Sequence, residues 1–231
     1  LLRFADGKSP FEDIQSAEQI NTIHEGDLAV TQGAVARLQE ASAHNQSLSL
    51  AVNMSARSLL NDAFLSMFDE LADKMGDVRG RLIIEITESA KLDDLPKAAR
   101  AVDRLAARGH PICLDDFGAG ASSLPYLQQL VVGYVKIDGA YVKGISERAR
   151  ERAIIEGVLA TCKSLHILTV AEMVEREEQH KILQDLGVTL GQGWLYGRPS
   201  PEIPSPERVT VRVPRKLDPS AIGRLLTKGA P

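Results

Sequence analysis

Six short apolar segments of this chain each finish on residues that do not belong in a hydrophobic core. These are Asn53, Glu85 with Thr87 and Glu88, Asp115 with Asp116, Lys136 with Asp138, Glu172 with Glu175, and Gln192. Among them, Asn53, Glu85, Asp115, Asp116 and Glu172 offer oxygen only. Hard oxygen donors without His or Cys favour Mg²⁺ or Mn²⁺ over zinc. The five histidines form no HExxH-type pair, and Cys113 and Cys162 form no CxxC pair, which argues against a zinc site. Adjacent Asp115 and Asp116 at a strand end can serve two ions. Two ions held close together are the clamp that cleaves phosphodiesters: one activates water, the other neutralises the phosphate and the leaving oxygen. Lys136 beside them would be a fixed cation for that water or phosphate. A helix cap explains any one such residue, and Asp116, Ser55 and Ser122 each fit as caps. It does not explain Glu85, Asp115, Lys136 and Glu172 on four strands, because buried charges are costly unless paired or metal-bound.

The elements that must position these residues follow from periodicity. Residues 48–54, 81–87, 111–115, 133–138, 167–174 and 190–196 read as strands apolar on both faces, with 1–5 as a further strand at the start. Residues 27–39, 58–75, 94–108, 147–166 and 176–186 carry apolar positions at helical spacing. Gly76, Gly109 and Gly187 follow three of these helices and suit left-handed C-caps. Strand–helix alternation implies a parallel sheet, and six or seven repeats suit a closed barrel or a doubly wound sheet. In a strand, residues two apart share a face, so Glu85 with Thr87 and Lys136 with Asp138 would face a barrel's C-terminal mouth.

The chain has 231 residues, 44% apolar and 25% charged, which is ordinary for a folded globular protein. Its net charge of -4 argues against a long nucleic acid as partner. The cysteine usage fits a reducing compartment. No apolar run approaches a membrane span, so no membrane contact is expected of this domain. The segment Gly118-Ala119-Gly120-Ala121-Ser122-Ser123 follows a strand as a dinucleotide loop does. It lacks the last Gly, and the two acids before it repel a pyrophosphate. The chain opens on Leu1-Leu2-Arg3-Phe4 without an initiator Met and is expected to be a piece of a longer protein. Prolines crowd in from Pro199, so a barrel domain over 1–203 and a Pro-rich basic tail or linker over 204–231 are expected.

These residues carry a likeness to a known family. Leu1-Leu2-Arg3-Phe4 resembles the end of an EALLRW signature, and Val52-Asn53-Met54-Ser55 resembles VNLS. Glu85-Ile86-Thr87-Glu88-Ser89 matches ExTES. Asp115-Asp116-Phe117-Gly118-Ala119-Gly120 resembles DDFGTG, and Lys136-Ile137-Asp138 is KID. Ala171-Glu172-Met173-Val174-Glu175 resembles AEGVE, and Gln192-Gly193-Trp194 with Arg198-Pro199 resembles QG…RP. From Leu1 to about Pro201 the chain is similar to the EAL domain family, the phosphodiesterases and receptors of cyclic di-GMP.

The resemblance implies a modified TIM-type (β/α) barrel, of class α/β, with one antiparallel strand near the start. It implies a hydrolase, a cyclic-guanylate-specific phosphodiesterase that opens cyclic di-GMP to the linear dinucleotide pGpG by a two-metal mechanism with Mg²⁺ or Mn²⁺. The alternative is a catalytically degenerate domain acting as a cyclic di-GMP receptor in bacterial second-messenger signalling. Asn53, Glu85, Asp115 and Asp116 would be metal ligands, and Glu172 a ligand or general base. Lys136 would orient water or phosphate, Arg3 and Gln192 would contact the dinucleotide, and Glu88 would brace the loop after Asp115-Asp116. Asp138 and Glu175 are further strand-end candidates. A homodimer, other signalling domains of the parent chain and a cytoplasmic location are also implied, with the parent itself free to be membrane-anchored. Four positions depart from the pattern. Met173 stands for the Gly of AEGVE, where its bulk is expected to crowd the site. Ala119, Ala121 and Gly139 stand for the usual Thr, Tyr and Arg.

Overall fold

A computed structural model describes residues 11–20, 22–87, 94–118 and 123–200. The expected first strand, with Arg3, falls outside the described residues, as do Glu88 and the tail. Among these residues six strands form one sheet in chain order: β1 Leu50–Asn53, β2 Leu82–Thr87, β3 Ile112–Phe117, β4 Tyr134–Ile137, β5 Leu168–Ala171 and β6 Leu190–Gly191. All five pairings among the described residues are parallel, and the sheet curves as a half-barrel. No antiparallel strand occurs among the described residues.

Among the described residues ten helical segments surround it: α1 Phe11–Gln19, α2 Ile23–Ser42, α3 Ala56–Leu59, α4 Asp62–Lys74, a 3₁₀ turn Gly76–Arg81, α5 Leu95–Ala107, α6 Ser123–Gln129, α7 Gly139–Lys143, α8 Ala149–Ser164 and α9 Glu177–Leu186. The helix expected over 58–75 is two helices. Asn61 interrupts it, because its side chain accepts hydrogen bonds from the Ala63 and Phe64 amides and so starts α4 afresh. α5 begins on Asp94, whose carboxylate accepts from Lys97 N, with Pro96 in the first turn where its missing N–H costs nothing. Gly76, Gly109 and Gly187 do take positive φ after their helices, as expected.

Alternation along the strands sorts the two faces. Leu82, Ile84 and Ile86 of β2 are fully buried under helices, packed in one core with Leu38 of α2, Phe64 and Phe68 of α4 and Leu105 of α5. Each such side chain contributes about 2 kcal/mol of transfer free energy. A second core joins Ile137 and Ala171 to Val142, Ile155 and Leu183 of α7, α8 and α9. The opposite face of β2 carries Ile83, Glu85 and Thr87, only half-buried. The sheet is thus apolar toward the helices and increasingly polar toward the mouth.

Candidate functional site

Register brings the strand-end residues together. Asn53 lies beside Glu85, and Thr87 beside Asp115. On β4, Lys136 is 4% exposed even though it carries an ammonium. Its Nζ lies 2.8 Å from Glu172 Oε1, 2.9 Å from Asp115 Oδ1 and 3.4 Å from Glu85 Oε1. A cation on β4 thus bridges carboxylates on β2, on β3 and just past β5.

Asp115 and Asp116 are adjacent, and in a regular strand they would point to opposite faces. The β3–β4 ladder shows why they do not. Cys113 pairs with Tyr134 and Leu114 with Val135, but Phe117 then pairs with Ile137. β3 therefore takes three steps for two on β4, which is a bulge with one extra residue. Asp116 sits in it at φ 55°, a left-handed conformation uncommon outside Gly, Asn and Asp. The Asp116 amide donates to Asp115 Oδ1 at 3.0 Å. As a result Asp115, Asp116 and Glu172 each offer an oxygen within 4.8 Å of the other two. This all-oxygen set fits a hard divalent cation.

The electrostatics are lopsided. Burial pulls the Lys136 pKa down, but Glu85, Asp115 and Glu172 together outweigh it and hold the ammonium well above its ordinary range. Burial pushes the Glu85 carboxyl up; Lys136 opposes this and Asp115 adds to it. Burial likewise raises Glu172 against its hydrogen bond to Lys136, with Asp115 and Asp116 adding repulsion. Among the described residues Lys136 is shared by Glu85, Asp115 and Glu172, and burial leaves Glu85 and Glu172 raised all the same. Such a pocket favours a further positive charge.

Other expected residues make different contacts. Gln192 is exposed, and its main chain is used for structure: its amide donates to Ala171 O at 2.8 Å and its carbonyl accepts from Val174 N at 3.0 Å. Asp138 caps α7 by accepting from Ala140 N at 2.7 Å. Glu175 lines a separate polar cleft of about 410 Å³ with Lys143, Arg148, Arg176 and Gln179. Sequence reasoning missed Gln179, which is 2% exposed and ties that loop down. It accepts from the Glu175 and Arg176 amides and donates to Val142 O. The signal was available, since Gln three residues after a helix start is a capping position. Cys113 is buried two residues before Asp115 in β3, and burial pushes its thiol pKa up.

Comparison with known proteins gives the chain a family. The model of the EAL domain family matches residues 2–199. Cyclic di-GMP phosphodiesterase PdeB of Shewanella oneidensis is 32% identical over 194 residues, 84% of this chain and 22% of PdeB. The solved PaMucR phosphodiesterase, in a c-di-GMP complex, superposes with a TM-score of 0.75 at 29% identity, over 84% of this chain and 78% of that one. Klebsiella pneumoniae BlrP1, in a manganese/cy-diGMP complex, gives a TM-score of 0.74 at 28% identity, over 86% of this chain and 50% of that one. The chain spans about a fifth of the length of curated relatives such as PdeB, 22% in that case. With a barrel mouth of this composition and a family match over nearly the whole described region, the chain belongs to the EAL domain family.

Proposed function

We propose that this domain is a metal-dependent phosphodiesterase that opens cyclic di-GMP to linear pGpG with two Mg²⁺ or Mn²⁺ ions. The observation that carries the reading is Lys136, buried at the centre of Glu85, Asp115 and Glu172. Its relatives' names support the substrate: PdeB is a cyclic di-GMP phosphodiesterase, and PaMucR and BlrP1 are held as c-di-GMP complexes.

In this reading Asn53, Glu85, Asp115 and Asp116 hold the ions, with Glu172 as a ligand or as general base. Bound there, divalent cations supply charge to polarise water and to shield the phosphodiester. The chain's own residues do the rest. Glu172 is more basic than an ordinary carboxylate because it is buried, which suits a group that takes a proton from water. Lys136 stays charged, so it donates hydrogen bonds to the attacking water or a phosphate oxygen and takes no proton. Arg3 and Gln192 contact the dinucleotide, and Glu88 braces the loop beyond Asp115-Asp116.

The test is incubation of purified protein with cyclic di-GMP and Mg²⁺ or Mn²⁺, following pGpG by chromatography. Product that disappears with chelator is expected. Asp115→Asn is expected to lower the rate by about two orders of magnitude or more, the scale of losing one group that stabilises transition-state charge. Full activity in that variant would overturn the two-metal reading. Saturable binding of intact dinucleotide without product would make the domain a receptor.

A further inference from the structure

Met173 follows Glu172 directly and has φ 54°, so it sits in the left-handed region where a side chain is unfavourable. It is 53% exposed, so burial of the whole side chain does not explain why the strain is tolerated. The explanation lies across the sheet, at Gly139, just beyond the strand that carries Lys136. A Cβ placed on Gly139 would lie 2.8 Å from Met173 Cβ and closer still to its Cγ and Sδ. The three nearest atoms all belong to Met173. The Met173 side chain therefore lies flat on the bare Gly139 backbone. Gly139 is the first residue of α7 and its φ is not positive, so its own conformation does not require glycine.

The segment around Met173 is held on both sides. Glu172 N donates to Ile137 O at 3.2 Å, and Val174 N donates to Gln192 O at 3.0 Å. Met173 is the residue between these two anchors, and its side chain reaches back toward the end of β4. We propose that Met173 and Gly139 act as one matched unit, in which Met173 is a positioning residue. It clamps the backbone of Glu172 to the strand end that bears Lys136 and so fixes the carboxylate in its 2.8 Å contact with the ammonium. The Met173 side chain thus lies against Gly139 and stabilises the loop. Its role in turnover rests on the phosphodiesterase reading; the coupling between the two positions does not.

The test is a double-mutant cycle with Gly139→Ala and Met173→Gly, read by urea midpoint, by the Mn²⁺ electron paramagnetic resonance signal, and by kcat and KM for cyclic di-GMP. Alone, Gly139→Ala should lower the midpoint, because Met173 must leave. In a Met173→Gly background the same alanine should cost almost nothing. Additive penalties would overturn the matched unit. Met173→Gly should broaden the Mn²⁺ signal, or weaken Mn²⁺ binding severalfold, and lower kcat about tenfold with KM within twofold. Met173→Leu should restore both. An unchanged Mn²⁺ signal with unchanged or raised kcat in Met173→Gly would overturn the positioning role. If the wild type forms no product, the phosphodiesterase reading fails, and the urea cycle and the Mn²⁺ signal still decide the inference.

Discussion

A buried lysine held by carboxylates on β2, on β3 and just past β5 predicts its own replacement. Removing Lys136 leaves Glu85, Asp115 and Glu172 facing one another with little water, and breaking a buried pair this way costs about 3–5 kcal/mol. Lys136→Gln is therefore expected to melt well below wild type in chelator. Mn²⁺ should raise its melting temperature by more than it raises the wild type's, because the ion supplies the missing charge. Equal melting of the two proteins in chelator would contradict the electrostatic account of the mouth. At this scale much was legible in the sequence. Glu85, Asp115, Lys136 and Glu172 declare themselves because a charge inside an apolar strand needs a partner. The convergence of Asp115 with Asp116 was not legible, since the extra residue shows only once β3 is laid against β4. Nor was the contact between Met173 and Gly139. Each stood out as a departure from the family pattern, but 34 positions of sequence separate them, and only the β4–β5 pairing makes them neighbours.

Helices α4 and α5 run side by side with a constant offset. Asp62 pairs with Lys97 at 3.1 Å, Asp69 with Arg104 at 2.6 Å, and Asp73 with Arg108, each pair 35 residues apart. Arg108 Nε also lies 3.4 Å from Asp69 Oδ1, an ion-pair distance without hydrogen-bond geometry. The pairs differ in value because they differ in exposure. The Asp69 side chain is 15% exposed and Asp62 78%. Asp69→Asn is expected to cost about 1–2 kcal/mol in a urea titration, since it weakens the charge-assisted bonds from Arg104 and the ion pair with Arg108. Asp62→Asn should cost less than about 0.5 kcal/mol, as an exposed pair does. Equal losses would mean that burial does not set the strength of this ladder. Helix positions were largely readable from caps and periodicity, as with Asp94-Leu95-Pro96 at the start of α5. The short α3, α6 and α7 were not, because helices of four to seven residues offer too few turns for a period to show. The strands at 167–174 and 190–196 were read too long. Met173 turns left-handed, and a Cβ at Gly193 would lie 2.7 Å from the Val174 carbonyl carbon, so chain there packs backbone on backbone.

Across the whole molecule the two ends of the sheet are built for different purposes. The mouth gathers charge, whereas the base is closed by His110, which is 2% exposed. Its Nδ1 donates to Leu82 O at 3.3 Å, its ring packs edge-on to Phe68, and its Nε2 has no hydrogen-bond partner among the described residues. Burial, with Arg79 and Arg108 nearby and only Asp69 and the Leu82 carbonyl opposing, lowers its pKa from 6.5 to about 4. The unfolded chain therefore binds this proton first. Stability is unaffected above pH 6.5 and is lost as the pH falls toward 4, by about 3 kcal/mol in all. Urea titrations at pH 7 and pH 4.5 should show a smaller loss in His110→Gln than in wild type; equal losses would remove His110 as the cause. The parallel architecture was legible from strand–helix alternation, and the polarity of the mouth from the strand-end residues. The role of His110 was not, because a lone histidine before a strand looks the same whether it is buried or solvated. The bulge in β3 has a further consequence, visible in the reading frame. Dropping one codon of the Asp115-Asp116 pair would let β3 meet β4 in straight register, with Phe117 still opposite Ile137. The barrel would survive with one aspartate in place of two. Three nucleotides thus separate a scaffold that can gather cations from one that merely keeps its shape, and a lineage shedding the chemistry need not shed the fold.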